Sequence, residues 1–396
     1  VFTHTAVTPS EKLIFPKKFL IIVVMTDEDD VEGTTLEGTT LEGTTLEGTT
    51  LEGGKLFDEG MYGCIFTPAL KCKDSKKQYT ESNNLSKLII KEYADKEWSI
   101  MTKIKKIPIW KNYFIVSETP CIPAPIQKDK DLTLCSPLTN SDYKLSDFRI
   151  LTMPNGGTPL TSYRIHLANF DFMGFVIHFI EAGALLNLFG IVHRDIHSGN
   201  ILVDNAQVPR IIDYNLSILV ESNITLGELK HKYDANLAQE PPDSTLVNAV
   251  QQGYNYERVI NSIITRKQIL KKVRTMLGVT IEEQWESLEL WHSKSKAAKE
   301  GNEVAWFNNY WRTIDSWAIA VNIIDLISKL SLWPEFITTL NKVRGKLFPV
   351  LKRMCEVNPK RRIDCVQALS MLAPNSFIIR KYSKEWLLKV GGVSGS

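Results

Sequence analysis

The sequence has no Cys-x-x-Cys pair. Its six cysteines, Cys64, Cys72, Cys121, Cys135, Cys355 and Cys365, are scattered, so the spacing of a structural zinc site is missing. Reduced thiols in an intracellular protein are the expectation from that scatter. No apolar run is long enough for a membrane. The best segment, FLIIVVM (Phe19 to Met25), falls far short of the roughly 20 apolar residues a spanning helix needs. Two lysines precede it, but no small-residue cleavage site follows, so neither a membrane anchor nor a secretory signal is expected. Charge of one sign is also absent. Lys plus Arg number 47 against 45 Asp plus Glu, a net +2 too small to make nucleic acid or a membrane surface the main partner.

What is present is 396 residues with an ordinary apolar share, enough for one large domain or two lobes around a real core. The chain begins with Val, and Met25 opens the acidic stretch MTDEDD, so residues 1–24 are expected to be either upstream translation, with a start at Met25, or a fragment edge. From Glu32 the unit EGTTL repeats four times in tandem to Leu51. A period of five fits neither a heptad nor a solenoid, and each unit has one Leu to bury. Residues 1–54 therefore read as a disordered acidic spacer.

Ordered structure is expected from Lys55. LFDEGMYGCIFTPAL has the pattern of a hairpin about a Gly turn, and NNLSKLIIK, NYFIVSE and DFRILTM read as strands. ADKEWSIMTKIKKI carries Ile100, Ile104 and Ile107 at helical spacing. The apolar run from Arg164 to Phe189 reads as a long helix, ILV and PRIID as short strands, and residues beyond about 250 as almost wholly helical. Strands first and helices later predict an α+β protein with two unlike lobes, residues 55–153 and 154–385, followed by a tail at 386–396.

Chemistry concentrates in IVHRDIHSGNILV, Ile191 to Val203. Asp195 precedes Asn200 by five residues, and Asp213 follows at the end of a strand in RIIDYN. Phosphoryl transfer to a hydroxyl requires one carboxylate to orient the nucleophile and take its proton. It also requires a second carboxylate and an amide oxygen to hold Mg²⁺ on the phosphates. Asp195, Asp213 and Asn200 form that set at the spacing of H-R-D-x-x-x-x-N.

On these residues, the chain from about Leu56 to Leu372 resembles the eukaryotic-type protein kinase superfamily. GMYGCIFTPALKC, LSKLI and IHSGNIL look most like the serine/threonine kinases encoded by large DNA viruses. The resemblance implies a two-lobed fold with a β-rich small lobe, ATP and Mg²⁺ in the cleft, and Ser or Thr of a protein as acceptor. It also implies a monomer, in host cytoplasm or virion. Asp58, Gly60 and Gly63 stand where three glycines are usual, leaving Gly60 and Gly63 for the phosphates. Lys87, in preference to Lys91, would pair with Glu97 and hold the α- and β-phosphates. Glu97 shares its helix face with Met101 and Ile104, and Lys87 lies ten residues before Glu97, which leaves room for a turn. MPNGGTPL resembles the hinge between lobes, with Leu151 guarding the back pocket and Met153 offering its backbone to adenine.

His197 stands where Ser/Thr kinases carry Lys, a wording shared with aminoglycoside and choline kinases, so a small-molecule phosphotransferase is the alternative. A catalytically silent platform is a third reading, suggested by the worn glycine loop and by Asp213-Tyr214-Asn215 in place of D-F-G. There Tyr214 needs a partner for its hydroxyl, and Asn215 replaces a Gly free to take positive φ. Three C-terminal features favour the protein kinase: Asp315 of TIDSWAIAV, Asp243 of QEPPDS, and Arg362 of NPKRRIDCVQAL, the last two as an expected ion pair. Arg194 resembles the arginine that binds a phosphorylated activation segment, with Ser217, Ser222, Thr225 and Tyr233 as candidate acceptors. The link from Asp243 to Asp315 is far longer than usual, an insert at about 250–312. Its RKQILKKVR reads as a solvated helix face rather than a nucleic-acid contact.

Overall fold

The computed structural model describes residues 55–391 apart from 61, 75–82, 126, 128–129 and 140–141. The EGTTL repeats, the expected start at Met25 and the FLIIVVM segment lie outside the described residues. The architecture is α+β, a small antiparallel sheet followed by a larger helical part. No described helix is long and apolar enough to cross a membrane.

Four strands, β1 (Lys55–Gly60), β2 (Gly63–Thr67), β3 (Asn84–Ile90) and β4 (Phe148–Pro154), form the sheet in that order, every pair antiparallel. Alternation along β3 decides its two faces. Leu88 joins Cys64, Phe66, Phe148 and Ile150 in a small core. Lys87 and Ile89 point the other way, where Ile89 packs with Ala94, Ile100 and Met101 of helix α1 (Lys91–Ile104). Gly63 is fixed by packing: a Cβ there would lie 2.2 Å from the carbonyl oxygen of Leu88. Gly60 has open space by comparison.

The helical part is built around α2 (Phe172–Leu188) and a helix buried almost throughout its length, Ile314–Leu330. The short strand β5 (Thr158–Pro159) precedes α2, and β6 (Ile191–Val192), β7 (Ile201–Val203), β8 (Pro209–Ile211) and β9 (Ile218–Leu219) lie between the two helices in sequence. β5, β7 and β8 make one sheet, and β6 pairs with β9. The long link is helical, as its pattern predicts. It comprises α3 (Pro242–Gln251), α4 (Tyr256–Arg266), α5 (Gln268–Leu277), α6 (Ile281–Lys294) and α7 (Glu303–Tyr310). The buried Ile314–Leu330 is α8, followed by α9 (Pro334–Met354) and α10 (Cys365–Leu372). Gly183 lets α2, α8 and α10 meet, since a Cβ would come within 2.4 Å of Ile319 and 2.6 Å of Cys365.

Several expectations need correction. NYFIVSE forms no strand; Phe114 makes only an isolated bridge to Ile211. The apolar run from Arg164 is α-helical only from Phe172, after a short 3-10 helix at Leu167–Asn169, because Asp171 caps α2 by accepting from the Gly174 N–H at 2.9 Å. No turn separates β3 from α1, which starts at Lys91. The expected tail overlaps a helix, Lys384–Val390, whose Trp386 indole donates to Asp364 at 3.0 Å.

The reduced-thiol expectation fails for four of the six cysteines. Cys64 bonds to Cys135 and Cys72 to Cys121, while Cys355 and Cys365 are free and buried. The partners lie 71 and 49 residues apart, and only the folding of the small sheet region brings their Cα atoms within 6 Å. Disulfides persist in oxidising surroundings, so the cysteines give no argument for an intracellular chain.

Candidate functional site

Lys87 lies at the centre of the site. Its ammonium is 3.0 Å from Glu97 Oε2 and 3.0 Å from Asp213 Oδ1, joining β3, α1 and the turn after β8. Lys91, the competing lysine, is the exposed first residue of α1. Glu97 is buried with Met101 and Ile104 on the inward face, as helical spacing requires. Burial opposes the charge on Lys87, but the Glu97 and Asp213 carboxylates outweigh it and hold the ammonium above its usual range. Burial also pushes the Glu97 carboxyl up, and Lys87 offsets this only in part. Asp213 ends below its usual value: burial works against its charge, but Lys87 and the hydrogen bond from Lys87 prevail. Leu151 is directly opposite Lys87 in the sheet and fully buried, and Met153 is opposite Leu85 and half-buried.

The loop after β6 brings Asp195, His197 and Asn200 together. The Asn200 amide donates to the Asp195 carbonyl at 3.0 Å and to Asp195 Oδ2 at 3.2 Å. His197 Nε2 lies 3.7 Å from that same carboxylate oxygen, and its Nδ1 accepts from the Gly199 N–H at 3.1 Å. The loop is pinned from beneath. Asp315 accepts from the N–H groups of His193 at 2.7 Å and Arg194 at 2.9 Å, and Asn322 donates to the Ile196 carbonyl at 2.9 Å.

Asp213-Tyr214-Asn215 departs from expectation in one respect. The positive φ falls on Asp213 (65°), not on Asn215, so the Asn meets no steric objection there. The Tyr214 hydroxyl has its partner, the Ile211 carbonyl at 2.8 Å, and its fully buried ring stands edge-on to His193. Asp243 and Arg362 form an ion pair with both side chains excluded from solvent.

Arg194 does not face a phosphate site. Its guanidinium donates to the carbonyls of Glu228 at 2.8 Å and Leu229 at 2.9 Å. Of the candidate acceptors, Ser217 is fully buried and Thr225 caps a short helix, its hydroxyl donating to Glu228 at 2.9 Å. The solvated reading of RKQILKKVR holds for the exposed Arg266, Gln268 and Lys271 and fails at Lys267, which is 1% exposed.

Sequence reasoning missed Gln239, whose side-chain amide donates to Asp195 Oδ1 at 3.0 Å. With Asn200 on the other oxygen, both oxygens of Asp195 are held. Nothing in a lone Gln marks this role, but its place four residues before Asp243 puts it on the segment facing the loop. A scan against protein-family models finds no match to this chain, and a search of curated proteins finds none either.

Proposed function

We propose that this chain is an ATP-dependent protein kinase of the two-lobed fold, transferring the γ-phosphate to Ser or Thr of a protein. The observation that carries the reading is the Lys87 ammonium held between Glu97 and Asp213, opposite an Asp195–Asn200 loop pinned by Asp315. That is the charge layout a triphosphate requires: a cation for the α- and β-phosphates, a carboxylate for a metal ion, and a second carboxylate for the nucleophile.

The donors suit Mg²⁺, which takes one or two protein oxygens and completes its shell from phosphates and water. Asp213 supplies a carboxylate. Asn200 supplies its amide oxygen, since the amide nitrogen is committed to Asp195. The described residues hold no cluster of three or more His, Cys, Asp or Glu, so the ion would depend on the phosphates for its remaining ligands. When bound, Mg²⁺ would neutralise charge that develops on the phosphate oxygens.

The chain's own part is positioning and proton transfer. Asp195 orients the acceptor hydroxyl and takes its proton as the oxygen bonds to the γ-phosphorus and the bond to ADP breaks. To do so it exchanges the Gln239 amide for the hydroxyl. Gly60 and Gly63 lie at the β1–β2 hairpin, where backbone would approach the phosphates. The buried Asp243–Arg362 pair favours a protein acceptor over a small molecule, because it braces the segment on which a polypeptide would dock.

The test is transfer from γ-labelled ATP with Mg²⁺ by the full chain and by Asp195→Ala. Generic proteins, aminoglycosides and choline are offered separately. Label on protein Ser or Thr that the substitution abolishes supports the reading. Label confined to a small molecule, or none at all, overturns it.

A further inference from the structure

The stretch from Glu228 to Ala238 runs up to the residue that touches Asp195, and its main-chain carbonyls are taken one after another by side chains from elsewhere. Arg194 takes Glu228 and Leu229. Asn248 and Gln252 of the α3 region donate to His231 at 3.1 Å and 3.0 Å. The Lys267 ammonium reaches Leu237 at 2.5 Å and Ala235 at 3.5 Å, and the Thr245 hydroxyl at 3.4 Å. The Trp317 indole takes Ala238 at 2.9 Å. The next residue is Gln239, in contact with Asp195.

We propose that Lys267, from the helical insert, is a positioning residue that holds this segment in register with the Asp195 carboxylate, so that no phosphorylation of the segment is needed. The inference rests on the kinase reading above. Three observations carry it. Lys267 is the junction of α4 and α5, where α4 ends at Arg266 and α5 begins at Gln268, so its backbone is fixed at both sides. Its side chain is buried to 1% exposure, an expensive place for a cation unless every donor has work. The arginine that would meet a phosphate is itself half-buried and committed to two carbonyls.

Electrostatics agree with the geometry. Burial pushes the Lys267 ammonium down to about 8, while the Glu240, Asp234 and Asp243 carboxylates hold it up. A buried carbonyl left without its donor is costly, so removing the ammonium should release the segment rather than leave it in place. Two of the three carboxylates, Glu240 and Asp243, follow Gln239 closely in sequence, so the cation steadies the end of the segment that touches Asp195. The insert thereby has a role that its charge pattern does not announce.

The experiment has two readouts. The first compares phosphate transfer to a generic protein by the phosphatase-treated wild type, shown by mass to be unmodified, with that of the phosphorylated protein. The second follows hydrogen exchange of residues 231–240 in wild type, Lys267→Met and Lys267→Arg. Unmodified wild type should match the phosphorylated protein. Lys267→Met should exchange about ten-fold faster in 231–240 while β3 and α1 are unchanged. Its kcat/KM for protein should fall about ten-fold or more with KM for ATP unchanged, and Lys267→Arg, which keeps donors, should recover part of the loss. A wild type that transfers only after its segment is phosphorylated overturns the proposal, as does a Lys267→Met with native exchange and native kcat/KM. If Lys267→Met does not fold, the wild-type comparison decides alone. If the wild type transfers nothing in either state, the kinase reading fails, and exchange judges the clamp by itself. Protection in unmodified wild type that Lys267→Met loses and Lys267→Arg keeps in part then upholds it, and an unprotected wild-type segment, or protection that survives in Lys267→Met, overturns it.

Discussion

Asp315 holds the backbone of Arg194 in a left-handed conformation. The φ of Arg194 is 69°, costly for a residue with a side chain, and Asp315 accepts from its N–H and from that of His193. The carboxylate is fully buried, and burial pushes its carboxyl up, with His193 and the two N–H groups pulling it back. Asp315→Ala would leave two N–H donors orphaned beneath the loop that carries Asp195. We expect a loss of about 2–4 kcal/mol in unfolding free energy, read from urea melts. Phosphate transfer should fall at least about a hundred-fold. Asp315→Asn, which keeps one acceptor, should lie between.

The Asp243–Arg362 pair makes a second prediction of a different kind. Both side chains are excluded from solvent, and Asp243 also accepts from the Trp306 indole at 2.8 Å. A buried pair gains little over apolar packing, but breaking it strands a charge. Asp243→Ala should therefore cost about 3–5 kcal/mol. Asp243→Leu combined with Arg362→Met should recover most of that stability. If the double variant is as unstable as the single, the loss lies in the Trp306 contact and packing rather than in the stranded charge.

How far the sequence could be read follows a physical line. Asp195, Asn200 and Asp213 were legible because a short loop fixes their spacing, and Lys87 because β3 alternates faces while Lys91 falls into a helix. Asp243, Arg362 and Asp315 were legible through resemblance, although Asp243 meets Arg362, and Asp315 the backbone of His193 and Arg194, only in three dimensions. The disulfides were not, since cysteines 49 and 71 residues apart carry no local signal of pairing. Lys267 and Gln239 were hidden for the converse reason. Lys and Gln default to solvent, and only the tertiary placement of backbone carbonyls or of Asp195 gives either one a buried partner. The strand expected at NYFIVSE failed because its edge meets Ile211 at one bridge only.

The His231–Glu240 contact at 3.0 Å ties the two ends of the segment facing Asp195, and it predicts a pH dependence. Burial works to lower the histidine, but the hydrogen bond and charge of Glu240 raise it above its usual value. Burial works to raise Glu240, but His231 and Lys267 bring it below its usual value. The histidine's contribution is thus fully present below its unfolded value, about 6.5, and is lost as pH rises through the raised folded value. The glutamate's is present above its unfolded value, about 4.3, and is lost as pH falls through the lowered folded one. The stability gap between wild type and Glu240→Gln should therefore be wider at pH 6 than at pH 9. Urea midpoints at the two pH values measure it, and equal gaps would refute the linkage.

His197 replaces the lysine that the resemblance leads one to expect, and its geometry says what it does instead. Nδ1 accepts from the Gly199 N–H, so the ring proton of the neutral form sits on Nε2, 3.7 Å from Asp195 Oδ2. Gly199 permits this, because a Cβ there would lie 2.8 Å from the imidazole. A neutral donor can steady a carboxylate but brings no full charge to the phosphate. His197→Gln, which keeps a donor, should therefore hold kcat within about three-fold, while His197→Ala should lose about ten-fold, or about 1.4 kcal/mol of barrier. KM for ATP should not move in either, since the ring's contacts are with Asp195 and Gly199 rather than with Lys87 or Asp213. Steady-state kinetics of the two variants separate the roles: equal losses in both would mean that the imidazole acts through its charge after all, and no loss in either would make it packing alone.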